Sequence, residues 1–492
     1  MLAYFKRLVT AGAAYQAGDI LSKGAAVVTL PLYTRYVTTT QYGYAEGVLT
    51  AVILLSIVLR LGVGEAFIRF YYDDTDQYRR DRIAVGAVGL VLVMTTAGAI
   101  VGLLFAGPLA RALPLGGSAP LLEIAMLGLW AFTNLEIAYA LLRADERKRT
   151  YMRASVADVS LTIPLMVYLV VFGHDQAQGL LAGNYIASTL VLLGLWWNER
   201  HRLIAGLRRR PGAPPIAMRK MLDFGLPTVP ADASVYALQV ADRWYLLDTM
   251  RPAAGIYAVA AKLATVVFVA VRGFQYAWPP LAYSVDDDEV AARLYAMVTT
   301  YYVLATGVVV AGVTLFARWG VRILYPTYYT AYEAIPWLAL GWALYGLYLI
   351  FIVISGRARK TRRNLPAALA GLVVNIACLV TLVPPLGIAG AGIALVLAYA
   401  AMNLVIYLLT RRLFSVGFEW GRLAKLVGVF AAIAVAGDLL LPTHGLEGFL
   451  ERGVAWCLIF PLLWAVGFFR SAELQRIAAF AGTVRSRARR RA

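Results

Sequence analysis

Charged side chains set inside long apolar runs are the part of this sequence that could do chemistry. Arg60, Lys262 and Arg272 interrupt segments built of aliphatic and small residues, Lys23 does so near the start, and Arg35 and Arg243 close two such segments. Fixed cations of this kind can hold phosphate or another anion where water cannot reach. Carboxylates at Asp19, Asp158, Asp232 and Asp242 lie in similar surroundings and could exchange a proton or a sodium ion. Each has a plainer reading. Arginines near a membrane face can snorkel into headgroups, and an acid can serve as a structural partner, as Asp19 could for Lys23 four residues on.

These residues are concentrated in the stretch from Phe224 to Ala264. Asp232, Tyr236, Gln239 and Arg243 follow at steps of four, three and four residues, which puts them on one helical face too polar for lipid. A second helix begins near Gly255 and carries Lys262, Thr265, Arg272 and Gln275 toward one side. An earlier stretch repeats the design, with Gln16, Asp19 and Lys23 on one face, a Thr34-Arg35-Tyr36 exit, and a new helix opening at Tyr42-Gly43-Tyr44. Arg60 follows Gly43 by 17 residues, as Arg272 follows Gly255. This is an internal repeat, and it bears on architecture before any single motif does.

The chain must position these charges in a membrane. Of its 492 residues 61% are hydrophobic and 15% charged, far from the balance of a soluble domain. Apolar runs long enough to span predict fourteen helices near 12–36, 43–67, 83–107, 120–142, 154–172, 179–197, 224–247, 255–283, 294–316, 333–354, 365–383, 388–409, 426–441 and 452–469. The predicted class is an all-α integral membrane protein.

The net charge of +18 reflects topology rather than nucleic acid. With a cytoplasmic N-terminus, the basic runs at 79–82, 143–149, 208–210, 357–363 and 485–490 all fall inside, while the outside loops hold Arg35, Arg111, Arg251, Arg318 and Arg322. An even helix count returns the C-terminus to the cytoplasm. The arginine run at 208–210 is followed by Pro211, Pro214 and Pro215, which no continuous helix tolerates. We therefore expect a first lobe at 1–199 with helices 1–6, a basic linker at 200–222, a second lobe at 223–412 with helices 7–12, and helices 13–14 with a basic tail at 413–492. Two such halves in one orientation usually enclose a site that opens alternately to each side.

Other chemistry finds no support. There is no Gly-rich phosphate loop, His174, His201 and His444 have no metal-ligand spacing, and Cys378 and Cys457 lie in apolar helices. We expect neither cofactor nor metal, and no catalytic residue. The acidic run Asp286-Asp287-Asp288-Glu289 reads as the start of a helix favoured by its dipole.

The stretches LPLYTRYVTTTQYGYAEGVL, FGLPTVPADASVYALQVADRWYLLDTMRPAAGIYAVAAKLA and PPLGIAGAGIALVLAYA resemble the polysaccharide exporter branch of the multidrug/oligosaccharidyl-lipid/polysaccharide flippase superfamily. That branch includes the Wzx-type O-antigen flippases. The DRW…GIY element is its most specific part, and the likeness runs over almost the whole chain. It implies two six-helix lobes and two further helices around a cavity passing a polyprenyl-diphosphate-linked oligosaccharide outward across the bacterial cytoplasmic membrane, driven by a cation gradient or the membrane potential. Membrane lipids, a polysaccharide polymerase and glycosyltransferases are the implied partners.

On that reading the charges form a ladder. At about 1.5 Å per residue, Arg60 and Arg272 lie roughly 25 Å from the outer helix ends, Lys23 near the midplane, Lys262 roughly 10 Å from the outer surface, and Arg35 and Arg243 at the rim. Arg60 and Arg272 would receive the diphosphate, Lys23 and Lys262 would hand it on, Gln275 would line the path, and Asp19, Asp158, Asp232 and Asp242 could couple a cation. A lipid II flippase or a cation-coupled multidrug exporter of the same superfamily fits the same architecture. A membrane glycosyltransferase would need a larger extramembrane loop than the chain has.

Overall fold

The computed structural model describes residues 24–73, 76–207, 218–358 and 360–470. Lys23, Asp19, residues 208–217 of the basic linker and the basic run at 485–490 lie outside them. Everything regular among the described residues is helical, as a chain in lipid requires, because each backbone N–H and C=O must find its partner within its own segment.

The first helices are α1 (24–36), α2 (Thr39–Leu59), α3 (Val63–Asp73), α4 (Gln77–Leu104), α5 (Ala106–Ala112), α6 (Ala119–Ala144), α7 (Lys148–Val167, extended by a π-turn to Phe172) and α8 (Gln176–Leu207). They are followed by α9 (Met218–Gly225), α10 (Val229–Thr249), α11 (Arg251–Tyr283), α12 (Asp288–Val321), α13 (Ile335–Arg357) and α14 (Asn364–Thr410). Finally come α15 (Trp420–Leu440), α16 (Gly445–Cys457) and α17 (Ile459–Ala465).

Eleven of the described helical segments are long and apolar enough to cross a membrane. One of them, α14, turns at Gly387 (φ 56°, ψ −134°) after Pro384-Pro385, so it makes two passes. Helix α10 has the length but is too polar to count among the eleven, carrying Asp232, Asp242, Arg243 and Asp248.

Helix starts follow local chemistry. Thr38 accepts from Gln41 N at 3.3 Å to cap α2, and Asp287 accepts from Val290 N at 2.8 Å to cap α12. The acidic run at 286–289 is thus the helix start its composition indicates. Prolines open α6, α10, α11 and α13, where the missing N–H costs nothing.

One boundary differs from the sequence reading. The expected helix at 43–67 breaks after Leu59, because Leu61 and Gly62 adopt left-handed backbone (φ 51° and 67°) and a new amphipathic helix, α3, starts at Val63. The expected separation of the helices at 365–383 and 388–409 falls at the non-helical backbone of Gly387.

Packing divides around α2. Helices α4, α6, α7 and α8 pack on one another, as do α10, α11, α13 and α14, and α2 touches α6 and α8 on one side and α10 and α11 on the other. The hairpin α15–α16 lies against α12, where Phe430 fills the notch at Gly307 and Trp456 covers Gly312.

The seam between α2 and α11 is closed by glycine. A Cβ on Gly43 would sit 2.9 Å from Gly255 N, and one on Gly255 would sit 1.8 Å from Thr39 O. The basic-loop end of α2 closes similarly: a Cβ on Gly62 would lie 2.1 Å from Gly225 O. Phe224 there meets Phe70 edge-on at 6.2 Å and lies under the Arg69 guanidinium at 4.5 Å. On the face opposite the basic loops, Tyr328 OH donates to Val37 O at 2.8 Å and Tyr325 N donates to Thr34 Oγ1 at 3.3 Å.

Candidate functional site

The polar groups converge where α2 meets α10 and α11. Gly43, Glu46 and Gly47 share one face of α2 and turn it toward α10 and α11. Glu46, 8% exposed, binds Lys262 of α11, with Oε1 2.5 Å from Nζ. The same ammonium lies 5.1 Å from the centre of the Tyr42 ring, and Tyr42 in turn meets Tyr328 edge-on. Trp244 of α10 donates its indole N–H to Gly47 O at 3.2 Å, fixing α10 against α2.

Asp242 and Arg243 diverge, as neighbours on a helix must. Arg243 is half-buried, donates to Gln239 O at 3.0 Å, and keeps its Nε buried without an acceptor among the described residues. Tyr236, one turn before Gln239, is within electrostatic reach of both Arg243 and Glu46. Asp242, 1% exposed, points the other way, into α11 and α14. Its Oδ2 accepts from Tyr257 OH at 2.8 Å and its Oδ1 from Asn375 Nδ2 at 2.9 Å. Among the described residues no cationic side chain forms an ion pair with it, and the Asn375 carbonyl oxygen is itself buried without a donor. The cluster is therefore rich in oxygen and short of positive charge.

Arg60 and Arg272 stand nearer the basic-loop end. Arg60, which ends α2, donates to Ser56 O at 3.2 Å and faces Glu136 of α6 at 3.6 Å. Asp158 of α7 accepts from Ser188 Oγ at 3.3 Å and feels the charge of Glu136. Arg272 donates to Gln275 Oε1 of its own helix at 3.2 Å, with its guanidinium 4.9 Å from the Phe268 ring centre. Arg272 and Asp232 both act on Tyr345 of α13, although Asp232 itself is exposed. Arg35 is exposed and joins none of these clusters.

Two cations of the expected ladder are thus paired with acids in the structure. Lys262 and Arg60 each carry a carboxylate, for the reason that a bare cation in low dielectric is costly. Both partners, Glu46 and Glu136, escaped the sequence reading although each is a lone acid inside an apolar run, the signal used for Asp158. Asn375 and Tyr257 carry no charge, and only the fold reveals them. Among the described residues no three His, Cys, Asp or Glu side chains gather to hold a metal ion.

The fold is shared with solved transporters. The lipid II flippase MurJ in its inward closed conformation superposes with a TM-score of 0.69 at 13% identity, over 92% of this chain and 98% of that one. An inward-facing multidrug resistance MATE family transporter of the MOP superfamily matches at 0.63 and 16%, over 82% and 99%. A MOP superfamily transporter from Pyrococcus furiosus, whose binding pocket is described as reversed in polarity, matches at 0.62 and 16%, over 86% and 96%. At these identities the likeness establishes the fold, which is that of MOP superfamily transporters. No curated protein sequence matches the chain. Residues 9–281 match the profile described as polysaccharide biosynthesis protein. With more than half of its length covered by that match, the chain belongs to the polysaccharide biosynthesis protein family.

Proposed function

We propose that the protein carries a polyprenyl-diphosphate-linked oligosaccharide from the inner to the outer leaflet of a bacterial cytoplasmic membrane, as a step in making surface polysaccharide of the O-antigen kind. The observation that carries this reading is the row of half-buried cations on α2, α10 and α11, with Arg60 and Arg272 toward the basic-loop end and Lys262 and Arg243 toward the other. A glycolipid can leave its tail in lipid, but its diphosphate must be met by fixed positive charge along the way. Family membership supports the substrate class.

In this reading the chain is no enzyme. Residues 1–199 and 223–412 form two lobes joined by the 200–222 linker, helices beyond 413 are accessory, and both termini face the cytoplasm. Arg60 and Arg272 receive the diphosphate, Lys262 and Arg243 pass it on, and Lys23, Arg35 and Gln275 line the route. Asp242 is the favoured coupling group, because a buried carboxylate with two neutral donors and a spare amide oxygen suits a monovalent cation or a proton. Asp19, Asp158 and Asp232 are secondary candidates. The polymerase and glycosyltransferases that act on the same glycan are its proposed partners.

Proteoliposomes bearing a fluorescent polyprenyl-diphosphate oligosaccharide test this. Wild type should flip the lipid and an Arg60→Gln/Arg272→Gln double variant should not. Flipping by the double variant at the wild-type rate would refute the cationic route. The same vesicles loaded with lipid II, or with a cationic drug, separate the lipid II and multidrug readings, both of which share this fold.

A further inference from the structure

Glu46 has no role in the cationic route, yet it is buried and holds one of its cations. It sits three residues after Gly43, and Lys262 sits seven after Gly255, so both project from the faces that meet at the glycine seam. The Glu46 side chain is 10% exposed and that of Lys262 27%, which leaves little water to screen either charge. Such charges are stable only together, since removing one partner strands the other at a cost far above the net worth of the pair. Moving α2 away from α11 would strand both.

The geometry points to Glu46 as an internal counter-anion that occupies Lys262 and latches α2 to α11 until an anionic ligand replaces it. This deepens the transport reading and rests on it for the identity of the ligand. A diphosphate reaching Lys262 supplies the negative charge that Glu46 had supplied, and repels the Glu46 carboxylate at the same stroke. The pair then no longer opposes separation of the helices, and the face closed by Gly43, Gly255 and Tyr328 can open. Without ligand the seam stays shut. A transporter built this way does not open its far face when empty.

The latch can be read without measuring transport. In full-length protein lacking Cys378 and Cys457 (each replaced by alanine), Thr34→Cys with Tyr325→Cys places two thiols across the seam, where Tyr325 N and Thr34 Oγ1 are 3.3 Å apart. Oxidative cross-linking in nanodiscs of neutral lipid should be fast in this parent and slower by about tenfold or more after Glu46→Gln. The reversed pair Glu46→Lys/Lys262→Glu should restore the parent rate. Adding polyprenyl diphosphate should slow cross-linking in the parent, whereas polyprenyl alcohol should not.

Unchanged cross-linking in Glu46→Gln overturns the latch, and so does failure of the reversed pair to restore it, since a packing role would not answer to charge. Cross-linking that follows the charges but ignores polyprenyl diphosphate would keep the latch and overturn its release by that anion. Absence of flipping by the wild type in the vesicles described above, with the response of cross-linking to the Glu46 and Lys262 charges intact, would instead refute the substrate reading alone.

Discussion

Replacing Gly255 by alanine would place a methyl carbon 1.8 Å from the Thr39 carbonyl oxygen and 3.1 Å from Gly43 N. Ordinary carbon–oxygen contact begins at about 3.3 Å, so α2 and α11 must part by roughly 1.5 Å at this end. Both obstructing atoms belong to the backbone, and no rotamer change can absorb the clash. Overpacking of this kind costs about 1–3 kcal/mol, which lowers the closed population roughly five- to 150-fold. The Thr34→Cys/Tyr325→Cys cross-link reads that population directly. Gly43→Ala, whose Cβ would meet Gly255 N at 2.9 Å, should slow it less. Gly89→Ala, with nothing within 4 Å, should leave it unchanged and slightly favour the helix. A Gly255→Ala variant that cross-links at the parent rate would show that the glycine contact does not hold the seam.

Three further outcomes follow from named contacts. Asp242→Asn keeps the side-chain volume but removes the charge held by Tyr257 and Asn375; gradient-driven flipping should fall about tenfold or more with little change in thermal midpoint, and a variant that still responds fully to the gradient would exclude Asp242 from coupling. Arg202 of α8 bridges Asp81 at 2.6 Å and Asp145, and donates to Tyr71 OH at 3.0 Å. Arg202→Ala should therefore destabilise by about 3 kcal/mol in thermal unfolding. The half-buried neighbour Arg200, which donates to Trp197 O and lies 4.1 Å from the Trp197 ring centre, should cost under about 1 kcal/mol as Arg200→Ala. Arg452, 3% exposed, donates to Pro442 O, Leu315 O and Leu441 O and so ties the α15–α16 turn to α12. Arg452→Leu should cost about 2 kcal/mol and open residues 441–445 to limited proteolysis.

Helix positions were legible in the sequence because lipid leaves a chain few choices, and apolar length alone marks a span. What length does not encode is where a span stops. The run through 43–67 is apolar on both sides of Arg60, and only the left-handed backbone at Leu61 and Gly62 splits it. The break at Gly387, by contrast, was visible in Pro384, Pro385 and the glycine itself. Charges were found and their partners were not. Lys262 and Arg60 stand out as cations in apolar helices, while pairing with Glu46 and Glu136 depends on which helices touch, and no local spacing contains that. Asn375 is less legible still, because a neutral amide in a span draws no attention until Asp242 is seen beside it.

The repeat explains one more feature of the seam. Counting from the two opening glycines, Gly43 of the first half corresponds to Gly255 of the second, and these residues touch. In the proposed repeat the two halves are related by a two-fold axis, and corresponding residues that touch would lie beside it. A duplicated chain would be expected to carry any pair across that axis twice. The counterpart of Glu46, three residues after Gly255, is Ala258, and the counterpart of Lys262, seven residues after Gly43, is Thr50. Ala258 is fully buried, and Thr50 spends its hydroxyl on Glu46 O and Gly47 O in its own helix. The charge across the glycine contact is therefore single. That asymmetry matters for release. Two ion pairs would require two anions, or one anion and an uncompensated loss, before the helices could part, whereas one pair can be exchanged by the single diphosphate of one lipid.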